Sequence, residues 1–575
     1  MFEKIILHTP RQFVPEELNP GDWPSLRPLF NQLEEQFGDA DDAAKLEQVI
    51  INWEELSAAI AEESSKRYIA MTCQTDDQPA EQAHIDFIEK IEPEVKKCSF
   101  HLAKALSSHP HRNGLPAKRY EVFTRDSTLE VELFRPENVP LETETAKLGQ
   151  QYQKLIGGLT VKFDGVERTL VQMGRYLEET DRARRQEAWE LVANRRLEEA
   201  ETIDSQLDDL AKRRNQMSAN ASFPNYRDYA HRHKGRFDYT PDDCLAFHDA
   251  IEQEMVPLLK ELHDERRAAL GIESVRPWDT ATDPYGRPPL KPFDEVPQLI
   301  GRTQAIFDQL DGDLADWFRT MQKLDLLDLA NRKGKAPGGY QDSLAEARLP
   351  FIFMNAIGIQ RDVETLLHEA GHAFHTMASQ GEPLHSYRHA PIEFCEVASM
   401  AMELLGGEYL GEFYGKEEVR RARITHLEGI VSVFPWIATV DAFQHWLYLN
   451  PDHSVAERDA AWDGLMDRFG GSVDWIGQEH ARAKLWHRQL HIFLHPFYYV
   501  EYGIAQLGAL QVWANSKQDR AQALNDYKAA LALGGSRPLP ELFERCNTRL
   551  DFSRETVAPI AKLLREELAT LKNGA

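Results

Sequence analysis

The chain has 575 residues, of which 42% are hydrophobic, and a formal net charge of -27. This length exceeds that of one ordinary domain, so we expect two or three lobes. The negative charge repels phosphate backbones and anionic lipid surfaces, which argues against nucleic acid and membranes as partners.

The chain shows no signs of membrane insertion or secretion. It has no stretch of about 18 apolar residues, so no spanning helix is expected. Residues 1–23 lack an apolar run with a cleavage site, so no secretory signal is expected. The five cysteines form no C-x-x-C pair, which argues against a disulfide framework and a cysteine zinc knuckle. These features predict a protein of the reducing cytoplasm.

Amphipathic helical patterns dominate the sequence. They predict helices over 23–37, 43–68, 85–108, 181–219, 241–270 and 555–571. Alternating apolar and polar residues predict a strand within 118–134. The apolar run 349–354 follows the turn-rich segment 335–340, which together predict a small hairpin before the next helix.

That next helix carries the motif His368-Glu369-Ala370-Gly371-His372. The spacing puts both imidazoles on one helix face, where they can bind one ion, and Glu369 projects toward the same side. Asp362 is the predicted N-cap. Gly371 in a helix interior costs about 1 kcal/mol relative to Ala, which predicts that another backbone or a substrate approaches closely there.

Zinc needs a third protein ligand and an open position for water. Position 378, where a metzincin would have its third histidine, is Ala378, so that class is excluded. A glutamate from a following helix is the other common solution, and the candidates are Glu382, Glu393, Glu396 and Glu403. Glu396 and Glu403 are seven residues apart and share a helix face, so one could be a ligand and the other its supporting partner. Spacing alone does not choose between them.

Two further side chains lie near the motif on the predicted helix. His375 is seven residues after His368, on the same face, where it could contact substrate or support a ligand. Glu364 is one turn before His368 and could accept the N–H of a ligand imidazole, although a solvated side chain is equally typical.

Segments 365–375 and 394–403 resemble the oligoendopeptidase F and thimet oligopeptidase family of zinc metallopeptidases. In the second segment the family shows Phe-x-Glu-x-x-Ser-x-x-x-Glu, although its usual Pro before the Ser is Ala398 here. The first glutamate of that pattern is the zinc ligand, so the resemblance selects Glu396. Segments 181–188, 334–340 and 350–355 extend the likeness to about 175–560, whereas the first 170 residues match only in being helical. We therefore predict an N-terminal helical region, 1–174, and a catalytic domain, 175–575.

A late aromatic segment, 491–502, also matches the family. Relatives place a histidine and two tyrosines, three residues apart, over the scissile carbonyl, and Tyr499 and Tyr502 keep that spacing. The histidine is His491, with a one-residue gap, or His495, which is closer in sequence. We assign catalysis to His491 with the two tyrosines, and substrate contact to His495 and Tyr498. From the residues alone, this segment is more typical of an aromatic core.

The resemblance implies a mainly α fold of two helical lobes around a deep substrate channel, with a small antiparallel β-sheet beside the active-site helix. It implies one zinc per chain and a zinc-activated water, with Glu369 as general base in the hydrolysis of short unstructured peptides. Gly338, Gly339 and Tyr340 could pair with the substrate backbone, since glycines permit close approach. We expect a monomer or a small homo-oligomer. The alternatives are an aminopeptidase with the same motif and a non-enzymatic helical binding protein.

Overall fold

The computed structural model describes Phe2 and residues 5–574. The chain forms two compact units, each assembled from three separate stretches. Unit 1 contains Met1–Glu132, Leu290–Arg423 and Ala505–Leu550, and unit 2 contains Leu133–Pro289, Ile424–Ile504 and Asp551–Ala575. Both predicted regions, 1–174 and 175–575, contribute residues to each unit.

Helices make up most of both units. The first stretch of unit 1 folds into α1 (Trp23–Asp39), α2 (Ala43–Cys73), α3 (Gln78–Asp86), α4 (Glu92–Ser108) and α5 (Ala117–Leu133). Unit 2 then contributes α6 (Asn138–Gly158), β1 (Thr160–Phe163), β2 (Val166–Thr169), α7 (Leu170–Met173), α8 (Arg182–Leu197), α9 (Ala200–Asn220), α10 (Tyr226–His233) and α11 (Pro241–Leu270).

The second stretch of unit 1 holds the larger sheet. Its elements are α12 (Val296–Leu310), α13 (Gly312–Lys323), β3 (Leu327–Ala330), β4 (Tyr340–Leu344), β5 (Leu349–Ala356), α14 (Gln360–Ala378) and α15 (Ile392–Gly407). The remaining helices are α16 (Lys416–Leu449), α17 (Val455–Phe469), α18 (Glu479–Ala483), α19 (Leu490–Leu494), α20 (Tyr499–Gln518), α21 (Arg520–Leu531), α22 (Leu539–Arg545) and α23 (Arg554–Asn573). The mainly α fold class is confirmed.

The predicted strand within 118–134 is wrong, because this segment is helix α5. The alternating letters Leu-Glu-Val-Glu-Leu also satisfy a helical period, since Leu129 and Leu133 are four residues apart and both are buried. Phe123, on the same helix, packs edge-on against Trp53 of α2 with ring centroids 5.8 Å apart. Burial against the unit 1 core therefore decides the helical conformation.

The sheet of unit 1 has the strand order β3-β5-β4. β4 and β5 are antiparallel, with Tyr340 opposite Phe353, so a hairpin does precede α14, but its first strand is Tyr340–Leu344 and not the segment 335–340. β3 adds a parallel strand on the other side, with Leu327 opposite Ile352. The central strand β5 is almost wholly buried and leads directly into α14, so the sheet holds the start of the motif helix in place.

No helix within the described part of the chain is both long enough and apolar enough to cross a membrane.

Candidate active site

The motif helix α14 begins at a tight backbone reversal. Gly358 has φ +91°, and a Cβ there would lie 3.0 Å from the backbone oxygen of Phe293. Asp362 is the third helical residue, so its prediction as the N-cap itself is wrong. Its Oδ2 accepts hydrogen bonds from the backbone N–H groups of residues 357, 358 and 359 at 2.8–3.0 Å. A carboxylate inside the first turn can satisfy these N–H groups as well as a cap can.

Helix α14 packs closely against α15 at Gly371. A Cβ on this glycine would lie 2.5 Å from Cα of Ser399 and 2.6 Å from the backbone oxygen of Ala398. The helical glycine predicted to permit a close approach therefore meets another backbone, that of α15. This contact brings the glutamates of α15 next to the histidines of α14.

Three side chains of unit 1 converge as a possible metal site. His368 and His372 lie one turn apart, with ring centroids 4.9 Å apart and rings nearly perpendicular. Glu396 Oε2 on α15 lies 3.4 Å from Nε2 of His368 and 3.8 Å from Nε2 of His372. One donor atom from each of the three residues lies within 4.8 Å of the other two. Two imidazole nitrogens and one carboxylate oxygen match a zinc site with an open fourth position.

A second glutamate of α15 supports this cluster. Glu403 Oε1 lies 2.6 Å from Nδ1 of His368, on the opposite side of the ring from Glu396. The Oγ of Ser399 donates to Oε2 of Glu396 at 3.0 Å. A carboxylate on the far nitrogen of a ligand histidine is the common outer partner of zinc sites, because it orients the ring and selects the tautomer.

The electrostatics of the cluster favour a cation. Burial by itself lowers the pKa of His368, but the hydrogen bond to Glu403 and the charges of Glu396 and Glu369 raise it to about 9. Burial also raises the pKa of Glu369 to about 7, against the opposing effect of His368. The site therefore concentrates negative charge around two histidines.

Other predicted residues near the motif have different surroundings. Glu364 accepts a hydrogen bond from the Nε2 amide of Gln360 at 3.1 Å, and the histidine that was its expected partner, His368, is paired with Glu403. His375 is 4% exposed and packs edge-on against Phe394, with ring centroids 6.0 Å apart. Burial, together with a nearby histidine, lowers the pKa of His375 to about 3, so its ring is neutral.

The other two candidate zinc ligands, Glu382 and Glu393, are not part of the group of donor atoms formed by His368, His372 and Glu396. Glu382 accepts from the backbone N–H of Leu384 at 3.1 Å, in the connection after α14. Glu393 lies at the start of α15, buried, and is absent from the group of converging donor atoms.

The predicted substrate segment 338–340 leads into the edge strand β4. Gly338 has φ +100°, and no atom lies within 4 Å of the position that its Cβ would occupy. Tyr340 stacks on Phe353 at 4.8 Å between centroids, and its Oη lies 2.5 Å from Oγ1 of Thr72. The two glycines therefore lead into a strand whose tyrosine is held by the unit 1 core.

In unit 2, the late aromatic segment forms a compact group. The ring centroid of His491 lies 4.8 Å from that of Tyr499, 5.9 Å from that of Tyr498 and 6.0 Å from that of Tyr502. His495 lies farther out, with centroids 6.2 Å from both Tyr498 and His491. Among the two candidate histidines, His491 is therefore the one that contacts both tyrosines of the family spacing.

A backbone reversal positions this group. Phe497 has φ +61°, an uncommon value for a residue with a side chain, and it lies between α19 and α20. Its N–H donates to Oε1 of Gln444 at 2.8 Å and its oxygen accepts from the guanidinium of Arg236. These buried hydrogen bonds hold the strained residue, which turns the chain so that His491 and the tyrosines of α20 face one another.

One residue of this group was not predicted from the sequence. The Nε2 amide of Gln489 lies 2.8 Å from Nδ1 of His491, and its Oε1 accepts from Nε1 of Trp436 at 3.1 Å. Since an amide N–H only donates, Nδ1 of His491 accepts and the ring proton lies on Nε2. Burial lowers the pKa of His491 to about 4, so the ring is neutral. A glutamine two positions before a histidine carries no motif that would have drawn attention to it.

Comparisons with known proteins agree with this geometry. The family model described as peptidase family M3 matches residues 175–561, and that described as the peptidase M3 N-terminal domain matches residues 13–134. An oligoendopeptidase F homolog of Borreliella burgdorferi is 25% identical over 225 residues, 38% of this chain and 37% of that protein. Oligopeptidase PepF of Bacillus subtilis is 24% identical over 247 residues, 42% of this chain and 36% of that protein. The alignments thus span little more than a third of these curated relatives.

Solved structures match over nearly the whole chain. The solved structure described as PZ peptidase A with inhibitor 2 superposes on this chain with a TM-score of 0.87 and 29% sequence identity, and the match covers 98% of this chain and 100% of that one. A putative oligoendopeptidase F from Bacillus anthracis has a TM-score of 0.83 and 26% identity, covering 97% and 98% of the two chains. Together with the family models, these matches confirm the resemblance to the oligoendopeptidase F family that segments 365–375 and 394–403 predicted.

Proposed function

Because the chain belongs to peptidase family M3, we propose that it is a zinc-dependent endopeptidase that hydrolyses internal bonds of short, unstructured peptides. One observation carries the proposal. Donor atoms of His368, His372 and Glu396 converge within 4.8 Å of one another, and Glu369 lies next to His368 on α14. An incidental pair of surface histidines in a binding protein would need neither the glutamate nor its partners.

The residues present fit a zinc ion held by His368, His372 and Glu396. Two imidazoles and one carboxylate are a donor set that zinc prefers, and they leave one position for water. Glu403 would hold His368 in the tautomer that directs Nε2 toward the ion. When bound, zinc would supply a Lewis acid that polarises the substrate carbonyl and lowers the pKa of water toward about 7.

We assign the proton transfers to Glu369. Its carboxylate takes a proton from the attacking water and delivers it to the nitrogen of the leaving amine. Burial raises the pKa of Glu369 to about 7 when no cation is bound, and the charge of a bound zinc ion would lower that pKa, so that the carboxylate is ionised and can accept a proton.

We assign stabilisation of the tetrahedral oxyanion to hydrogen bonds from His491, Tyr499 and Tyr502. The hydrogen bond from Gln489 keeps the proton of His491 on Nε2, which is the state that a donor needs. Loss of one such donor typically costs about 3 kcal/mol of transition-state stabilisation. His495 and Tyr498, at the outer side of the same group, would contact the substrate.

The substrate proposal rests on the edge strand β4. An edge strand offers backbone N–H and C=O groups with which an extended peptide can pair, and the open glycine at 338 permits close approach. Such pairing involves only the backbone of the substrate, so it suits peptides of varied sequence.

All five cysteines are free thiols, which supports action in a reducing compartment, the cytoplasm. We propose a monomer or a small homo-oligomer.

Substitution of Glu369 tests its proposed role as the general base. Glu369→Gln should lower kcat on an internally quenched fluorescent peptide by about 10²- to 10⁴-fold with zinc content unchanged. The matched control is Glu364→Gln on the same helix, where activity should stay within about twofold of wild type. Near-wild-type hydrolysis by a zinc-loaded Glu369→Gln variant would remove Glu369 as the base.

A peptide-cleavage assay also distinguishes an endopeptidase from an aminopeptidase. An aminopeptidase must bind a free amine, so it should fail on an N-acetylated peptide. We expect products from internal cleavage of the acetylated peptide, identified by mass spectrometry. Release of single residues from free N-termini only would overturn the endopeptidase proposal.

A further inference from the structure

Unit 2 contains a cavity of about 110 Å³ that is lined by two separate stretches of its chain. The first stretch, 170–197, includes α7 and α8, and the second is 481–488. Most of the lining is apolar, with Trp189 and Leu485 as examples. A cavity of this size holds several waters or a group about as large as one hydrophobic side chain. Its charged lining residues are all basic: Arg196, Lys484 and Arg488.

The lysine of this group already has its counterions. Nζ of Lys484 lies 2.7 Å from Oδ2 of Asp204 and 2.8 Å from Oδ2 of Asp459. No aspartate or glutamate of the described chain lines the cavity itself. The charge of Lys484 is therefore compensated within the protein, which leaves the two arginines as the cations available to a ligand.

The two arginines have no such partners. Neither the guanidinium of Arg196 nor that of Arg488 forms an ion pair or a hydrogen bond with any residue that the structure describes, and Nε of Arg196 is buried. The chain has 93 acidic and 66 basic residues, so carboxylates are in excess. Burying a donor without an acceptor is unfavourable, and native structures satisfy nearly all such atoms. Two arginines without acceptors at one cavity therefore point to an anionic ligand.

The electrostatics of the two guanidiniums agree with this interpretation. Arg488 is exposed to solvent at the cavity, yet surrounding protein atoms desolvate its guanidinium, and this desolvation, together with the charge of Arg196, lowers its pKa to about 10. Desolvation also lowers the pKa of Arg196. A bound anion would offset both effects, because it favours the charged form of each guanidinium.

An aromatic ring holds one of the two guanidiniums in place. Cζ of Arg488 lies 4.8 Å from the ring centroid of Trp436. Trp436 is itself fixed, because its Nε1 donates to Oε1 of Gln489 at 3.1 Å. A guanidinium held over an aromatic ring keeps the N–H groups of its edges free, and two of them can bind both oxygens of one carboxylate.

We propose that this cavity binds a small apolar carboxylate, with the hydrocarbon part against Trp189 and Leu485 and the carboxylate on Arg196 and Arg488. The size of the cavity limits the apolar part to about one hydrophobic side chain, which excludes long acyl chains. Two sources share this chemistry, namely the C-terminal residue of a peptide and a free short-chain carboxylic acid. With a peptide as the source, the site rests on the proposed peptidase function and would hold a substrate or product by its C-terminus.

Ligand-observed NMR titrations of the wild-type protein test the ligand class. N-acetyl-leucine should bind at least about tenfold more tightly than N-acetyl-leucine amide, because only the former offers a carboxylate to the arginines. A third probe, 4-methylpentanoate, lacks the peptide-like amide and distinguishes the sources. Tighter binding of N-acetyl-leucine would indicate a peptide C-terminus, and equal or tighter binding of 4-methylpentanoate would indicate a free acid. The proposal would be overturned if neither carboxylate bound, or if the neutral amide bound equally well.

Substitutions then locate the binding site. Arg196→Gln and Arg488→Gln should each weaken binding of N-acetyl-leucine by about 10- to 100-fold. The matched control is Arg195→Gln, one position earlier on α8, where Nη2 of Arg195 lies 2.9 Å from Oε1 of Glu199. Its affinity should stay within about twofold of wild type. Unchanged affinity in both cavity variants would show that the carboxylate binds elsewhere and would overturn the proposal.

Failure of this site and failure of the peptidase proposal give different results. Glu369→Gln, which should lose hydrolysis, should bind N-acetyl-leucine as tightly as wild type does. Binding is measured without turnover, so an inactive wild-type protein would leave the titration unaffected.

Thermal stability distinguishes a ligand site from a structural role of Arg196. Without ligand, Arg196→Gln should leave the Tm unchanged or raise it, because the substitution removes a desolvated charge that has no ion pair. N-acetyl-leucine should raise the Tm of wild type and not that of the variant. A lower Tm of Arg196→Gln together with unchanged ligand affinity would identify a structural residue and contradict the proposal.

Discussion

Nδ1 of His368 lies 2.6 Å from Oε1 of Glu403, while Nε2 of the same ring lies 3.4 Å from Oε2 of Glu396. One imidazole is thus held between two glutamates that lie two turns apart on α15. The two carboxylates have different tasks, since one shares the proposed ion with His368 and the other orients its ring.

We expect Glu403→Gln to weaken zinc binding without abolishing it. The amide cannot hold the Nδ1 proton of His368 as strongly as the carboxylate, and such outer partners typically contribute about 10- to 100-fold in metal affinity. Competition with a chromophoric chelator measures the affinity of the H-E-x-x-H site. Glu364→Gln is the control, because Glu364 is bonded to Gln360. Equal affinities of wild type and Glu403→Gln would contradict the role given to Glu403.

Gly371→Ala should destabilise unit 1. The added methyl group would lie 2.5 Å from Cα of Ser399, which belongs to the packed backbone of α15 and cannot move aside. Overpacking of this kind costs about 1–3 kcal/mol, more than the gain of about 1 kcal/mol that Ala brings to a helix interior. Urea denaturation measures the change in the free energy of unfolding.

Gly464→Ala on α17 is the matched control for that substitution. No atom lies within 4 Å of the position its Cβ would occupy, so only the helix-propensity gain remains. We expect a stabilisation of up to about 1 kcal/mol. If both substitutions changed stability in the same direction, close packing of α14 on α15 would not explain Gly371.

His491→Ala should impair catalysis far more than His495→Ala. His491 lies against both Tyr499 and Tyr502, and Gln489 keeps its proton on Nε2. Removing an oxyanion donor typically lowers kcat by about 10²- to 10³-fold, whereas a peripheral substrate contact should cost about tenfold or less in kcat/KM. Steady-state kinetics on one peptide compares the two variants. A larger loss in His495→Ala would reverse the assignment.

Asp204 should make the stability of unit 2 depend on pH. Burial tends to raise its pKa, but hydrogen bonds from His487 and Lys484 lower it from 3.8 to about 2. A depressed carboxyl pKa contributes stability above the unfolded value, here about 2 kcal/mol at neutral pH, and that contribution disappears as pH falls from about 4 toward 2.

The measurement compares wild type with Asp204→Asn by urea denaturation at several pH values. The difference in unfolding free energy should shrink as the pH falls below about 4. Asp209→Asn, on the same helix, is the control, because its ion pair with Arg213 involves a side chain that is 52% exposed. A difference for Asp204→Asn that does not vary with pH would contradict the pKa argument.

The sequence by itself determined the local features of this protein. The spacing of His368 and His372 defines one helix face, and the apolar run 349–354 is long enough to form the buried strand before it. The predicted strand within 118–134 was wrong because the apolar residues of that segment fit both a strand period and a helix period. Only contact with the unit 1 core distinguishes a strand from a helix there. The spacing of apolar residues that marks a helix or a strand involves only residues close in sequence, so it can be recognised from the sequence alone.

Only the tertiary structure decided which distant residues meet. Spacing left four glutamates as candidate ligands, and the close approach of α15 to Gly371 brings Glu396 and Glu403 to the two nitrogens of His368. The contact of Gln489 with His491, and the meeting of Arg196 and Arg488 at one cavity, likewise join residues through packing that leaves no sequence motif. The physical reason is that such contacts depend on how side-chain volumes fill the space between helices, which no local spacing encodes.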